Sequence, residues 1–274
     1  MSEEHPRSAT AQNDRLTRRG VVRALAATAG VTLAGCVGGG DSSRTAGDVS
    51  GQFSRRYVVD VDGSERRLSV DVPRETYLSV RQQSRSFGSA VDAARDNAML
   101  ERVGRRIART YDSDLDRFLA AQAVVTDIEY ARDISSTGQR EYIRYPTETV
   151  VEETGDCEDL AILLAGLLSS AALGFRTGFV IPEGHCAVLV DRADLPESLV
   201  VADPLTVTLS GREYVYVEAV EERSAGSWAR DYGERPLLVA YRGRWYPLDV
   251  SALTDHSLDT LTNGEFGSAA QFFQ

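Results

Sequence analysis

The chain has 274 residues, 42% of them apolar and 26% charged, which is the make-up of a folded protein with room for one large domain or two small ones. Its formal net charge is −11, and every basic side chain is Arg, with no Lys anywhere. Setting aside residues 1–35, which hold five Arg against three acids, leaves 25 Arg against 38 acids, or about −13. So acidic a remainder excludes nucleic acid as a partner, since phosphate binding needs a positive footprint.

Residues 1–35 read as an address rather than as part of the fold. Arg18 and Arg19 precede GVVRALAATAGVTLAG, whose stretch from Ala24 to Gly35 is 12 small or apolar residues. A bilayer span takes about 20. The pair and the run together resemble a twin-arginine export signal. Leu33-Ala34-Gly35-Cys36 then resembles a lipobox, in which Cys36 carries the lipid and begins the mature chain. The two resemblances imply a lipoprotein on the outer face of the cell membrane; the plainer alternative is a soluble protein with an unstructured Arg-rich tail. An acidic, Lys-free, Ala/Gly/Arg/Asp-rich chain also resembles haloarchaeal proteins in composition, although a solvated acidic face explains the charge equally well. Residues 36–52 are Gly/Ser-rich and read as a flexible tether.

Arg55 to Val72 contains two alternating runs, RRYVVDV and RRLSVDV, flanking Asp62-Gly63, which is a hairpin signal. A β element over 53–89 follows from it, and a main domain over 90–259. Helical spacing runs from Ala90 to Thr110 through Val91, Ala94, Ala98, Val103 and Ile107. A second helix is expected from a Ser113 cap to about Tyr130, and then a connecting loop from Arg132 to Thr149. The run from Leu160 to Leu173 is apolar nearly all round, as befits a helix in the middle of a domain, with Gly174 as its stop. Strands follow at RTGFVI, CAVLV, SLVVAD, REYVYVEAV, PLLVAY and RWYPLDV. Helices first and an antiparallel sheet afterwards make an α+β fold. Residues 260–274 are polar and read as a loose tail.

Gly155-Asp156-Cys157-Glu158-Asp159 sets a thiol at the first turn of the apolar helix. Unpaired N–H groups and the helix dipole favour an anion there, and the thiolate is the nucleophile. The competing reading is an inert buried Cys. A nucleophilic thiol needs a base, and the base a third group to orient it. Beyond the tether only His185 and His256 are available. His185 opens the strand CAVLV, in a position suited to a sheet edge facing a cleft, whereas His256 sits in the polar segment LTDHSLD. Cys186, next to His185 on that strand, points to the opposite face and reads as a core residue. A Cys157–Cys186 disulfide would be incompatible with a working thiol.

These residues resemble the transglutaminase-like superfamily, a papain-like cysteine hydrolase and acyltransferase fold. The landmarks are Tyr145-Pro-Thr-Glu-Thr149, Gly155-Asp-Cys-Glu-Asp159, Glu183-Gly-His185 and Tyr214-Val-Tyr-Val-Glu218. The resemblance implies Cys157 as nucleophile, His185 as general base and then acid, and an acidic third member. Glu218 and Asp203 both qualify; Glu218 is favoured because its strand alternates in the way that aims side chains into one cleft. The backbone N–H of Cys157 is the first oxyanion donor, and Gln122 is a second by analogy with the family. Asp156, Glu158 and Asp159 flank the thiol. They suit the helix N-terminus but raise a thiol's pKa, so they act as simple caps or are neutralised by an Arg or a cation. Similar bacterial proteases that cut adhesins at the cell surface hold calcium with such acids, which makes these three candidate calcium ligands. No cofactor is required, and no zinc spacing exists.

The expectation is therefore a membrane-anchored thiol hydrolase, a cysteine peptidase or amidase, acting on protein or peptide at the cell surface. A catalytically silent binding module and a protein transamidase are the alternatives.

Overall fold

A computed structural model describes residues 45–49, 51–182, 184–209, 211–227, 237–241 and 244–248. Arg18, Arg19, Cys36, His256 and the tail lie outside the described residues. Strands β1 (Thr45–Val49), β2 (Gln52–Val61) and β3 (Ser64–Pro73) form an antiparallel sheet in that order. The turn between β2 and β3 is Asp62-Gly63, with φ of 51° and 80°. Two left-handed residues in succession make the turn whose twist matches a hairpin. Tyr57, Val59 and Val61 of β2, with Leu68, Val70 and Val72 of β3, are buried while their neighbours alternate outward. Part of the segment expected to be a tether is thus strand β1, paired Thr45↔Arg55 and Ala46↔Ser54 with β2.

Helix α1 (Arg74–Val80) follows. The single helix expected over 90–110 is two, α2 (Phe87–Arg95) and α3 (Ala98–Thr110). Asn97 divides them, because its side chain accepts from the N–H groups of Met99 and Leu100 at 3.0 and 3.2 Å and so caps a new helix. Helix α4 (Asp114–Thr126) starts on Ser113, whose Oγ accepts from Asp116 N–H at 3.0 Å. It stops well short of Tyr130, which lies in the short strand β4 (Glu129–Tyr130), parallel to β5 (Thr154–Gly155). The expected loop over 132–149 holds α5 (Asp133–Ser136) and most of α6 (Pro146–Glu152); Pro146 takes the first helical position, where its missing N–H costs nothing.

Helix α7 (Cys157–Leu168) has every residue buried and packs against α2, α3, α4, α6 and strands β6 and β7. It ends at Ser169, earlier than its apolar run suggests, and Gly174 (φ 75°) serves the turn beyond. The second sheet comprises β6 (Thr177–Ile181), β7 (Ala187–Asp191), β8 (Thr206–Leu209), β9 (Arg212–Val217), β10 (Leu237–Tyr241) and β11 (Arg244–Leu248), in the order β11-β10-β6-β7-β9-β8. All its pairings are antiparallel. SLVVAD is not one of its strands: Glu197–Leu199 forms a 3-10 turn and Val200 makes an isolated bridge to Ala225. Separate helical and antiparallel elements give an α+β architecture.

Candidate active site

Cys157 is the first residue of α7, with Asp156 as its N-cap in extended geometry. Thr154–Gly155 precede it as β5, so pairing with β4 fixes the approach of the chain to the helix. The thiol is buried, 8% exposed, and donates to Glu158 Oε2 at 2.9 Å. Burial first, then the Glu158 carboxylate, and then the Cys186 thiol and Asp156 push its pKa far above the usual thiol range. The helix N-terminus is therefore outweighed here by burial and by the acids around the thiol. Cys186, expected as a core residue, is buried, and its own pKa is raised by burial and then by Glu158, Asp156 and Glu218. Both cysteines are free thiols.

His185 lies just ahead of β7, which is not an edge strand: it runs between β6 and β9. The ladder pairs Val188 with Val217, so His185, two residues ahead of β7, and Glu218, the residue after β9, emerge at the same end of the sheet. That topology brings His185 Nε2 to 3.1 Å from Glu218 Oε2. Glu218 is 1% exposed and fully engaged. Tyr216 donates its hydroxyl to Oε2 at 2.7 Å, and the N–H groups of Ala219 and Val220 reach Oε1 at 2.9 and 3.1 Å. Burial alone would raise its pKa, but the hydrogen bonds from His185, Tyr216 and Val220 and the imidazole charge hold it below the ordinary carboxylate range. Asp203, the other candidate third member, stands exposed in the bend ahead of β8.

Gln122 is buried on α4 and donates Nε2 to the carbonyls of Glu218 at 3.1 Å and Arg223 at 3.4 Å. Gln122 thus braces the segment that carries Glu218.

The acids beside the thiol do not converge on one point by themselves. Asp156 and Asp159 gather with Asp133 from α5, while Glu158 gathers with Asp133 and Glu141; within each group the oxygens lie within 4.8 Å of one another. Arg144, 1% exposed, reaches into the first group, donating to Asp133 Oδ1 at 3.0 Å and Asp159 Oδ2 at 2.9 Å, and also to Glu152 at 3.1 Å. Asp156 keeps one buried oxygen, Oδ1, with no hydrogen-bond partner among the described residues. Its pKa is pushed up to about 10 by burial, with the Glu158 and Asp159 charges adding. Asp159 is pushed up to about 7, burial outweighing Arg144. Arg144 already neutralises Asp133 and Asp159 in the first group, so the oxygens left to suit a hard cation such as calcium are those of the second, Asp133, Glu141 and Glu158.

Sequence reasoning overlooked Asp133, Glu141 and Arg144. Arg144 stands next to the Tyr145 landmark, and the only signal for it was the general need for a cation near three adjacent acids. Nothing in their spacing singles out Asp133 or Glu141.

No family model and no curated protein matches the sequence. Among solved structures the chain is similar to calcium-bound LapG of Legionella pneumophila, at 14% identity and a TM-score of 0.29, over 62% of this chain and 93% of that one. It is also similar to a candidate protease of Parabacteroides distasonis, at 12% identity and a TM-score of 0.31, over 63% of this chain and 41% of that one.

Proposed function

We propose that the chain is a transglutaminase-like cysteine hydrolase that cuts peptide or amide bonds outside the cell, tethered to the membrane through a lipid on Cys36. The observation that carries this reading is the His185–Glu218 pair at 3.1 Å, held at the end of β7 and β9 with the carboxylate backed by Tyr216 and two backbone N–H groups. A buried carboxylate with that many donors orients an imidazole and stabilises its protonated form. With Nε2 turned to Glu218, Nδ1 is the nitrogen for proton exchange. Cys157 Sγ attacks the carbonyl carbon as His185 takes the thiol proton. The C–N bond then breaks as that proton passes to the leaving amine, and water, deprotonated by His185, releases the acid and restores the thiol. The Cys157 backbone N–H is the oxyanion donor of this reading. Hydrolysis is favoured over transamidation because water is always at hand.

Glu141 and Glu158, with Asp133, are the residues that would hold calcium, and its positive charge would offset the Glu158 carboxylate that keeps the Cys157 thiol protonated. The silent-module reading draws support from one observation, the donation of that thiol to Glu158. Labelling with iodoacetamide followed by peptide mass spectrometry separates the two. The enzyme predicts modification of Cys157 that is slowed about tenfold or more in His185→Ala. Modification of neither cysteine, with or without calcium, supports the module.

A further inference from the structure

Four donors hold the Glu218 carboxylate, and they do not do the same work. The N–H groups of Ala219 and Val220, which reach Oε1 at 2.9 and 3.1 Å, belong to the two residues next in the chain, so they travel with Glu218. His185 Nε2, at 3.1 Å from Oε2, is the group to be positioned. It is carried on a turn ahead of β7, where Gly184 is left-handed (φ 66°) and the His185 N–H closes on the Pro182 carbonyl at 3.1 Å, and it belongs to no strand. The remaining donor is Tyr216, whose hydroxyl meets the same Oε2 at 2.7 Å.

Tyr216 differs from the other three in what stands behind it. It lies in β9, between β7 and β8, opposite Leu189. Its N–H donates to the Leu205 carbonyl at 3.0 Å and its carbonyl accepts from the Gly226 N–H at 2.7 Å. The residue is 1% exposed, so packing closes in a side chain whose backbone is already pinned on both sides. Glu218 stands two residues further on, which sends both side chains off the chain in one direction. A short bond from a neutral hydroxyl to an ionised carboxylate is among the stronger hydrogen bonds a protein makes. Of the four donors, it is the one that ties the carboxylate to an interior strand of the sheet.

We propose that Tyr216 is a positioning residue of the hydrolase: it fastens Oε2 of Glu218 to β9, and through that oxygen the sheet aims the His185 imidazole. This rests on the reading of His185 as the base for Cys157, but the positioning is read from the imidazole itself, without turnover. The full chain has three histidines, so an imidazole N–H proton resonance that is shielded from water and absent in His185→Ala belongs to His185. In Tyr216→Phe that proton should exchange with water at least about tenfold faster than in the wild-type chain, as the loss of one charge-assisted bond implies. Iodoacetamide labelling of Cys157 should slow in step. Tyr214→Phe is the control, since it removes a phenol hydroxyl from the same strand, as deeply buried but two residues farther from Glu218; it should leave the His185 proton unchanged.

An unchanged exchange rate in Tyr216→Phe overturns the inference. So does equal acceleration in both Phe variants, which would mark packing alone, and so does a wild-type chain with no shielded His185 N–H. Should Tyr216→Phe fail to fold, 3-fluorotyrosine in place of Tyr216 decides the matter. Its more acidic hydroxyl draws more strongly on Oε2, so the His185 N–H resonance should move upfield; an unmoved resonance refutes the sharing of that oxygen. A faster proton in Tyr216→Phe, together with a wild-type Cys157 that iodoacetamide never labels, would remove the hydrolase reading and leave the positioning of His185 standing.

Discussion

Glu218 shows how a carboxylate can be buried and still charged. Its oxygens are met by an imidazole, a phenol hydroxyl and two backbone N–H groups, and together they outweigh the cost of burial. Because its folded pKa is depressed, its stabilising contribution is in place above the ordinary carboxylate range and is lost as pH falls through the folded value. Thermal melts from neutral pH down to about pH 3 should therefore show a shallower acid limb in Glu218→Gln than in the wild-type chain; parallel limbs would contradict this. Arg144 is the reverse case, a buried cation among Asp133, Asp159 and Glu152. Removing one partner from such a cluster strands the others, so Arg144→Met should cost about 3–5 kcal/mol in urea unfolding. The positions of Cys157 at a helix start and of His185 ahead of a strand were legible in the sequence, because an apolar run after Gly-Asp and an alternating run are local signals. Arg144, Asp133 and the true engagement of Gln122 were not, since each depends on partners that only the tertiary fold brings near.

At the level of elements, α7 is the piece against which the others are fitted. Gly166 lets α2 and α3 approach it: a Cβ there would meet Leu100 Cδ1 at 2.7 Å and Ala94 Cβ at 2.9 Å. Glycine in a helix interior costs about 1 kcal/mol relative to alanine, yet Gly166→Ala should still destabilise, by about 1–3 kcal/mol, because Ala94 is short and rigid and must move bodily. A denaturation midpoint equal to or above that of the wild type would refute this. The hairpin of β2 and β3 was readable because Asp-Gly between alternating runs is a complete local signal. The break at Asn97 was not, since the apolar spacing continues across it and only the side-chain cap ends one helix and begins another. SLVVAD reads as a strand by composition, but a 3-10 turn at Glu197–Leu199 interrupts it and the sheet takes Thr206–Leu209 instead.

For the whole molecule, the α+β class followed from the order of periodicities, whereas the pairing of a two-residue strand such as β4 with β5 carries no sequence signal at all. The proposed placement outside the cell rests on Arg18, Arg19 and Cys36, and it makes a simple prediction. Cys36→Ser should move the protein from the membrane fraction to the soluble fraction on cell fractionation, because the proposed lipid is joined at that residue; an unchanged distribution would rule out the anchor. The central claim is that Cys157 forms a covalent bond with the carbonyl carbon of a substrate. The most direct measurement is acid quenching of the calcium-supplemented protein during incubation with a peptide mixture, followed by mass spectrometry of the fragment containing Cys157. An acyl thioester on Cys157 that disappears in His185→Ala is the predicted result. Peptide cleavage that continues undiminished in Cys157→Ala, or cleavage by the wild-type chain with no acyl group ever found on Cys157, would contradict the account.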